Sequence, residues 1–321
     1  MKTWLKVIAA VKKSKRVLVT THHNPDADAV GSALSVALWL KSLKKKVTVV
    51  NEDKPSEWLQ FLPSINQVKV ANTLTNVDYD LAIVLDCGDL ERVGHVKKFL
   101  VKGKPLINID HHISNPKFGT INIVNPKISS TSELVADLLV AAKFKLNKSV
   151  AHLLYAGIMT DTGSFKYDIT KPSTHVLAAR LMEFGINPSR MHEKLYPGMP
   201  AKDMMLFTDL VHRSELLCDS RVYYAGLTKE ELNKFSRNFD WKERLLAFLR
   251  SVNGVEVVMI LSPLHDGRIR VNLRSQSDVD VAAICAHVGG GGHPKASGAT
   301  LDLPLDDAKK KMLDLLKKAL R

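Results

Sequence analysis

Six residues in the first half of the chain combine chemical type and spacing in a way that suits a metal ion: His22, Asp26, Asp28, Asp86, His111 and Asp161. The segment His22-His23-Asn24-Pro25-Asp26-Ala27-Asp28 lies between an aliphatic run, Val17-Leu18-Val19, and an apolar helical pattern that begins near Ala29. An imidazole and two carboxylates two residues apart on a tight loop can converge on one point, and mixed nitrogen and oxygen donors suit a divalent first-row metal. Further donors end other apolar runs. Asp86 follows Leu81-Ala-Ile-Val-Leu85, Asp110-His111-His112 follows Leu106-Ile-Asn-Ile109, and Asp161 sits in Gly157-Ile-Met-Thr-Asp161-Thr-Gly163. Two ions held roughly 3.5–4 Å apart need a bridging carboxylate and several terminal ligands. Asp86, alone at the end of its run, is the natural bridge. His22 and Asp26 would complete one ion, and Asp28, His111 and Asp161 the other. Such a pair activates water for in-line attack on a phosphoryl group and neutralises the charge that develops there. His112 is then free to donate to a phosphate oxygen or a leaving group, with Asp110 orienting a neighbour from behind. Spacing alone leaves open which histidine of each adjacent pair meets the metal.

A second stretch, Gly289-Gly290-Gly291-Gly292-His293-Pro294-Lys295, follows a helical pattern and precedes a strand pattern. Consecutive glycines are costly to order. With structured patterns on both sides, they read as a loop whose backbone N–H groups form an anion nest beside His293 and Lys295. The loop lacks the Gly-Lys-Ser/Thr ending of a P-loop, and it ends a helix rather than opening one. Arg274-Ser275, at the end of Ile269-Arg-Val-Asn-Leu273, can supply a bidentate phosphate contact.

The elements that must carry these residues alternate. Helical periodicity covers 3–14, strands 16–21, 46–50, 80–85, 105–109 and 119–124, and helices 29–44, 90–100, 130–143 and 148–160. This alternation predicts a doubly wound, parallel-sheet α/β domain. Potential ligands then gather beyond the carboxyl ends of several strands, where open α/β sheets bind ligands. Helical, polar patterns at 173–184, 188–196 and 201–217 lead to a second, smaller α/β unit. Its strands fall at 221–226, 255–262, 267–273 and 296–301, and its helices at 228–236, 240–250, 279–287 and 305–320. The expected division is a metal-binding domain over 1–186, a helical connector over 187–219 and a substrate-binding domain over 220–321.

Composition narrows the classes. The chain has 321 residues, enough for two domains, and is 45% hydrophobic and 25% charged. Forty-six Lys and Arg against 33 Asp and Glu leave a net charge of +13, which favours a polyanionic partner or substrate. Lysine runs such as Lys44-Lys45-Lys46 and Lys309-Lys310-Lys311 read first as solvated helix ends. Three cysteines without a CxxC pair argue against a disulfide framework and for a reducing cytoplasm. No apolar run reaches the length of a membrane span, and the N-terminus carries no signal-peptide pattern.

The residues together carry a resemblance. Asp110-His111-His112 resembles the signature of the DHH phosphoesterase superfamily. His22-x-x-x-Asp26-x-Asp28, Asp86 and Asp161 match its other metal motifs in order, and the family's spacing favours His22 over His23. Gly289 to His293 with Ala296-Ser297-Gly298, and Arg274 upstream, resemble the DHH-associated C-terminal domain. The two-domain length is similar to that of the bacterial nanoRNase/pAp phosphatases. The resemblance implies two divalent ions, manganese before magnesium or cobalt. It implies hydrolysis of short single-stranded RNA to mononucleotides, or removal of the 3′-phosphate of 3′-phosphoadenosine 5′-phosphate. It also implies substrate binding by Arg274, Ser275, Gly289, Gly290, Gly291, Gly292 and His293, with the cleft between the domains limiting substrate length. No membrane partner is expected, and a homodimer is compatible with such enzymes. The rival within the architecture is a phosphodiesterase for cyclic di-AMP or linear pApA. A family II pyrophosphatase would carry a basic Ser-Arg-Lys-Lys-Gln-like motif that this chain lacks, and a RecJ-like exonuclease would be longer. Outside catalysis, the rival is a nucleotide-binding sensor.

Overall fold

The first element of the computed structural model is α1 (Lys2–Lys13), an amphipathic helix that buries Val7 and Val11 and leaves Lys6, Lys12 and Lys13 exposed. The structure describes residues 2–236 and 239–320, which divide between Pro197 and Gly198 into two compact units.

In the first unit, β1 (Arg16–Thr20) leads to α2 (Ala27–Ser42), β2 (Lys46–Asn51), β3 (Val68–Val70), β4 (Leu81–Leu85), β5 (Leu106–Asp110) and β6 (Ile121–Val124). Every pairing is parallel, in the order β3-β2-β1-β4-β5-β6. The expected doubly wound sheet is present. Its strands are buried on both sides, as parallel sheets require. Val17, Val19, Ile83 and Ile109 pack with α2, while Leu18, Ala82, Val84 and Val50 pack in a separate cluster with Val93, Val96 and Phe99. Helices α3 (Thr131–Ala141), α4 (Lys148–Asp161), α5 (Pro172–Met182) and α6 (Pro188–Leu195) complete the unit. α2 is apolar nearly all round and is enclosed accordingly, packing against α3 and α4. A Cβ on Gly31 would meet the Leu153 carbonyl oxygen at 2.4 Å, so glycine sets how closely α2 and α4 approach.

Two local expectations change here. The segment Leu90–Phe99 is 3₁₀ rather than α and is broken at Gly94, where φ is +60°. The Glu52 carboxylate takes the His95 N–H at 2.6 Å, so that donor is lost to the helix. The Pro-flanked stretch after β2 also contributes β3, a short edge strand whose three residues are too few to show a period.

The second unit contains α7 (Ala201–His212), β7 (Glu215–Leu217), β8 (Val222–Gly226), α8 (Lys229–Lys234), α9 (Trp241–Leu249), β9 (Val257–Pro263), β10 (Ile269–Ser275), α10 (Val281–Ala286), β11 (Gly291–His293), β12 (Ala296–Leu301) and α11 (Leu305–Ala319). The sheet order is β11-β12-β10-β9-β8-β7, antiparallel except for β8 with β9. One face buries Val257, Met259 and Val271 beneath α10 and α11. The other buries Val258 and Ile260 beneath α7 and α9. The helical stretch expected at 201–217 ends at His212 and turns into β7. Gly291–His293, expected within a loop, is a strand, because Gly291, Gly292 and His293 pair with Gly298, Ser297 and Ala296.

Candidate metal centre

Strand order reverses between β1 and β4, and the carboxyl ends of such neighbours form the crevice where doubly wound sheets hold ligands. His22 lies just beyond β1, Asp86 directly beyond β4, and Asp110 ends β5. The N-termini of α2 and α3 and the C-terminus of α4 meet them there. Three overlapping groups result, each with ligand atoms within 4.8 Å of one another: His22 with Asp26 and Asp86; Asp28 with His111 and Asp161; and Asp86 with His111 and His112.

Asp86 and His111 each belong to two of the three groups, and Asp86 is the carboxylate that does so. It is 2% exposed and has φ of +51°, a left-handed conformation that Asp tolerates better than most residues. One carboxylate oxygen lies 3.5 Å from His22 Nε2. The other lies 3.6 Å from His111 Nε2 and accepts from Thr131 Oγ1 at 3.1 Å. Burial opposes its charge, but the hydrogen bond to His22 and the imidazoles of His111 and His112 prevail and bring its pKa down to about 2.

The remaining donors are fixed by backbone. Asp26 is the N-cap of α2, and its Oδ1 accepts from Asp28 N and Ala29 N at 3.0 Å each. Its Oδ2 lies 3.9 Å from His22 Nε2. Asp28, fully buried, accepts from Thr131 N at 2.7 Å and Ser132 N at 2.8 Å, the first amides of α3. A helix N-terminus favours a carboxylate. Burial and the charge of Asp86 nevertheless push Asp28 up to about 7. Asp161 closes α4 and lies 3.1 Å from His111 Nε2. Burial and the charge of Asp28 raise it well above the carboxylate range. His111 rises to about 10: burial lowers it, but the hydrogen bond to Asp161 and the surrounding carboxylates outweigh burial. Asp110 is buried, with Oδ1 2.7 Å from His112 Nδ1 and Oδ2 accepting from Asn115 Nδ2 at 2.6 Å.

The two adjacent histidines diverge. His22 Nδ1 donates to the His23 carbonyl at 2.7 Å, which leaves Nε2 turned to Asp26 and Asp86. His23 Nδ1 instead donates to the Arg92 carbonyl at 2.9 Å. Cys87 is buried, its thiol 2.9 Å from the Asp89 carbonyl and pushed up to about 12 by burial, as expected of a packing residue.

The donor set fits hard or borderline divalent cations, since it consists of carboxylate oxygens and imidazole nitrogens without thiolate. The hydrogen-bond partners of its carboxylates are imidazoles, a hydroxyl and backbone N–H groups. Buried carboxylates driven upward in pKa at this density call for added positive charge.

Sequence reasoning missed three residues here. Thr131 and Ser132 reach the centre through amides and a hydroxyl. Gly157 makes room for them: a Cβ there would meet Ser132 Oγ at 2.2 Å and Asp28 Oδ1 at 2.6 Å. The available signal was Ser129-Ser130-Thr131-Ser132-Glu133 opening a helix, which is rich in N-capping types.

In the second unit, Arg274 is the penultimate residue of β10, with Nη2 3.0 Å from Glu243 Oε1, and Ser275 Oγ donates to the Ser277 carbonyl at 2.9 Å. Gly289 N and Gly290 N donate to the Ala286 and Cys285 carbonyls, so these two amides cap α10 rather than joining a nest. Gly290 packs on the hairpin: a Cβ there would meet the Gly298 carbonyl oxygen at 2.4 Å. Gly291, Gly292 and His293 are exposed on the edge strand β11.

Comparison with known proteins divides the chain in the same place. A model of the DHH family, N-terminal domain, matches residues 16–158, and a model of the DHHA1 domain matches residues 229–321. The bifunctional oligoribonuclease and PAP phosphatase NrnA of Thermus thermophilus is 30% identical over 98% of this chain and 94% of that protein. Its namesake from Bacillus subtilis is 29% identical over 98% and 97% of the two chains. Among solved structures, an exopolyphosphatase-related protein from Bacteroides fragilis superposes with a TM-score of 0.92 at 25% identity, covering 99% of this chain and 96% of that one. Full-length identity to the NrnA proteins, and models of both halves in their proper order, make this chain a member of the DHH family, of the type that pairs a DHH domain with a DHHA1 domain.

Proposed function

We propose that this protein is a metal-dependent phosphoesterase that hydrolyses short oligoribonucleotides to mononucleotides, removes the 3′-phosphate of 3′-phosphoadenosine 5′-phosphate, or does both. The observation that carries the reading is that the two oxygens of one carboxylate, Asp86, face different donor groups, one 3.5 Å from His22 Nε2 and the other 3.6 Å from His111 Nε2, as the bridge of a dinuclear site must. Membership of a family whose relatives are named for these two activities supports it. His22, Asp26 and Asp86 would hold one divalent ion, and Asp28, Asp86, His111 and Asp161 a second, with manganese the ion we expect. When bound, the ions acidify a water and neutralise the phosphoryl oxygens. Asp110 holds His112 by its Nδ1, so that the protonated ring can donate from Nε2 to a phosphate or leaving oxygen. Thr131 and the first amides of α3 keep Asp28 and Asp86 in place. In the DHHA1 domain, Arg274, Ser275 and the glycine hairpin with His293 would grip substrate phosphates, the guanidinium by a bidentate contact. The unpaired thiols suit a reducing cytoplasm.

The test is hydrolysis, with manganese present, of a 5′-phosphorylated diribonucleotide, 3′-phosphoadenosine 5′-phosphate and cyclic di-AMP, with Asp86→Ala as the blank. Rapid cleavage of either of the first two supports the proposal. A clear preference for cyclic di-AMP would reassign the same site to cyclic dinucleotide turnover. Failure to cleave any of the three would favour a nucleotide-binding role.

A further inference from the structure

We infer that the edge of the first unit opposite the metal centre is a docking face for the phosphate backbone of double-helical or folded RNA. The topology gathers the unit's positive charge there. Since all strands are parallel, the segments entering them share one edge, and the helices that start at the centre end at the same edge. α2, at 16 residues, carries the chain about 24 Å from Asp26 to that side.

Lys12 and Lys13 arrive there at the end of α1, and Lys44, Lys45 and Lys46 link α2 to β2. Lys102 and Lys104 precede β5. Lys143 and Lys145 follow α3, and Lys148 opens α4. All are exposed except Lys45 and Lys104, which are half-buried. The carboxylates in these turns are Asp78 and Asp80, and both are engaged locally. Asp78 pairs with Arg16 at 2.5 Å, and Asp80 accepts from Lys15 N and Arg16 N at 3.0–3.2 Å. Among the described residues, no carboxylate lies within ion-pair distance of Lys12, Lys13, Lys44, Lys46, Lys143 or Lys145.

Complementing helix dipoles explains only part of this. Lysines at the ends of α1 and α2 do face negative helix termini. Lys148, however, is the first residue of α4, where a cation is disfavoured, and Lys46 and Lys104 lie at strand entries. Their common property is the edge they occupy. A face of lysines fits phosphates as point charges, without the planar fork that reads bases. The aromatic rings at this edge, Tyr79, Phe99, Phe118 and Phe144, are buried or half-buried against the unit's own core, so unstacked bases find no fully exposed platform there. That favours a duplex backbone over single strands. α1 already spends its apolar stripe on the unit's own core, which leaves little for insertion into a lipid surface.

The experiment is fluorescence anisotropy with a labelled RNA hairpin whose stem is about 16 bp, roughly the span of a compact duplex-binding module. It is run across a KCl series with the full chain and with the quadruple variant Lys44→Glu, Lys46→Glu, Lys143→Glu, Lys145→Glu. The wild type should bind, with log K falling linearly against log[KCl]. The variant should bind at least about tenfold more weakly with a shallower slope, because fewer counterions are released. Its melting temperature and its cleavage of a diribonucleotide should match the wild type. A parallel set with Gln in place of Glu guards against charge reversal harming the fold. Absent hairpin binding by the wild type, identical isotherms for both proteins, or stronger binding to phosphatidylglycerol vesicles than to RNA would each overturn the inference. The inference does not depend on the proposed activity, since absence of diribonucleotide cleavage in both proteins, with hairpin binding by the wild type and its weakening in the variant, would refute the activity alone.

Discussion

Gly157→Ala sets a helix preference against the geometry of the metal centre. In an unhindered helix interior the change stabilises by roughly 1 kcal/mol. Here the new methyl would lie 2.2 Å from Ser132 Oγ, 2.6 Å from Asp28 Oδ1 and 3.0 Å from Asp28 Cα. Neither neighbour can yield easily, because Asp28 is held by Thr131 N and Ser132 N and is fully buried. Forcing a methyl into a packed site costs about 1–3 kcal/mol. Disturbing a hydrogen bond to a charged group adds a further 1.5–3 kcal/mol or so where it breaks. The balance is net destabilisation by about 0–2 kcal/mol if the hydrogen bonds hold and about 1.5–5 kcal/mol if one breaks, with a fall in melting temperature of about 2–4 °C for each kcal/mol. Manganese affinity should fall by about tenfold or more, as when outer partners of metal ligands are lost. Calorimetric titration of the metal-free protein with Mn²⁺ reads the second effect and a thermal melt the first. Adding Ser132→Ala removes the nearest atom, so it should restore part of the stability while leaving metal binding impaired. Unchanged manganese affinity with a melting temperature equal to or above wild type would refute the argument that Gly157 admits Asp28 to the centre.

Other perturbations follow from the same geometry. Asp86→Asn keeps a residue tolerant of the left-handed backbone but loses the bridging charge. Turnover should be lost while circular dichroism is preserved, and an active Asn variant would remove Asp86 from the bridging role. Metal-free protein should lose stability as pH rises from about 4 through 7, because Asp28 is raised in the fold and its protonated form is favoured there. His111, raised to about 10, adds stability that is complete below about 6.5 and lost as pH climbs through 10. Asp86 acts oppositely, gaining between about 2 and 4, so urea titrations above pH 4 should show the decline, and saturating Mn²⁺ should flatten it. At a free Mn²⁺ concentration of about one hundred times Kd the fold should gain roughly 2.7 kcal/mol, a gain that chelation abolishes. Arg274→Ala should raise KM more than it lowers kcat, with a melting change under about 1 kcal/mol since its pair with Glu243 is partly exposed. An unchanged KM for every phosphorylated substrate would remove it from the site.

The residues that brought the centre into view from sequence are those whose chemistry coincides with a break in hydrophobic pattern. Asp86 stands out because five apolar residues precede it, and Asp110-His111-His112 because it ends the mostly apolar run Leu106-Ile-Asn-Ile109. The parallel order of the sheet was legible from strand patterns alternating with the helical patterns at 29–44 and 90–100, although only the first of these is an α-helix. Other features leave no such trace. Thr131 and Ser132 serve mainly through backbone N–H groups, which every residue but proline has. The choice between His22 and His23 is made by two carbonyls, those of His23 and Arg92, whose positions depend on the folded loop. Gly291–His293 has no side-chain alternation to mark a strand, and its pairing exists only because β12 lies beside it. The break at Gly94 comes from Glu52, more than forty residues earlier.

The segregation of the metal centre into the unit that ends at Pro197 has a consequence for biosynthesis. The candidate ligands run from His22 to Asp161, so the full set is present in the growing chain before the first residue of the second unit is made. Domains generally fold as units, the N-terminal one first during synthesis. Crowded carboxylates would then meet their cations while the remaining residues are still being added. A ribosome stalled a few tens of codons beyond Pro197 should display a nascent chain that already retains manganese, whereas one stalled before α4 is complete should not.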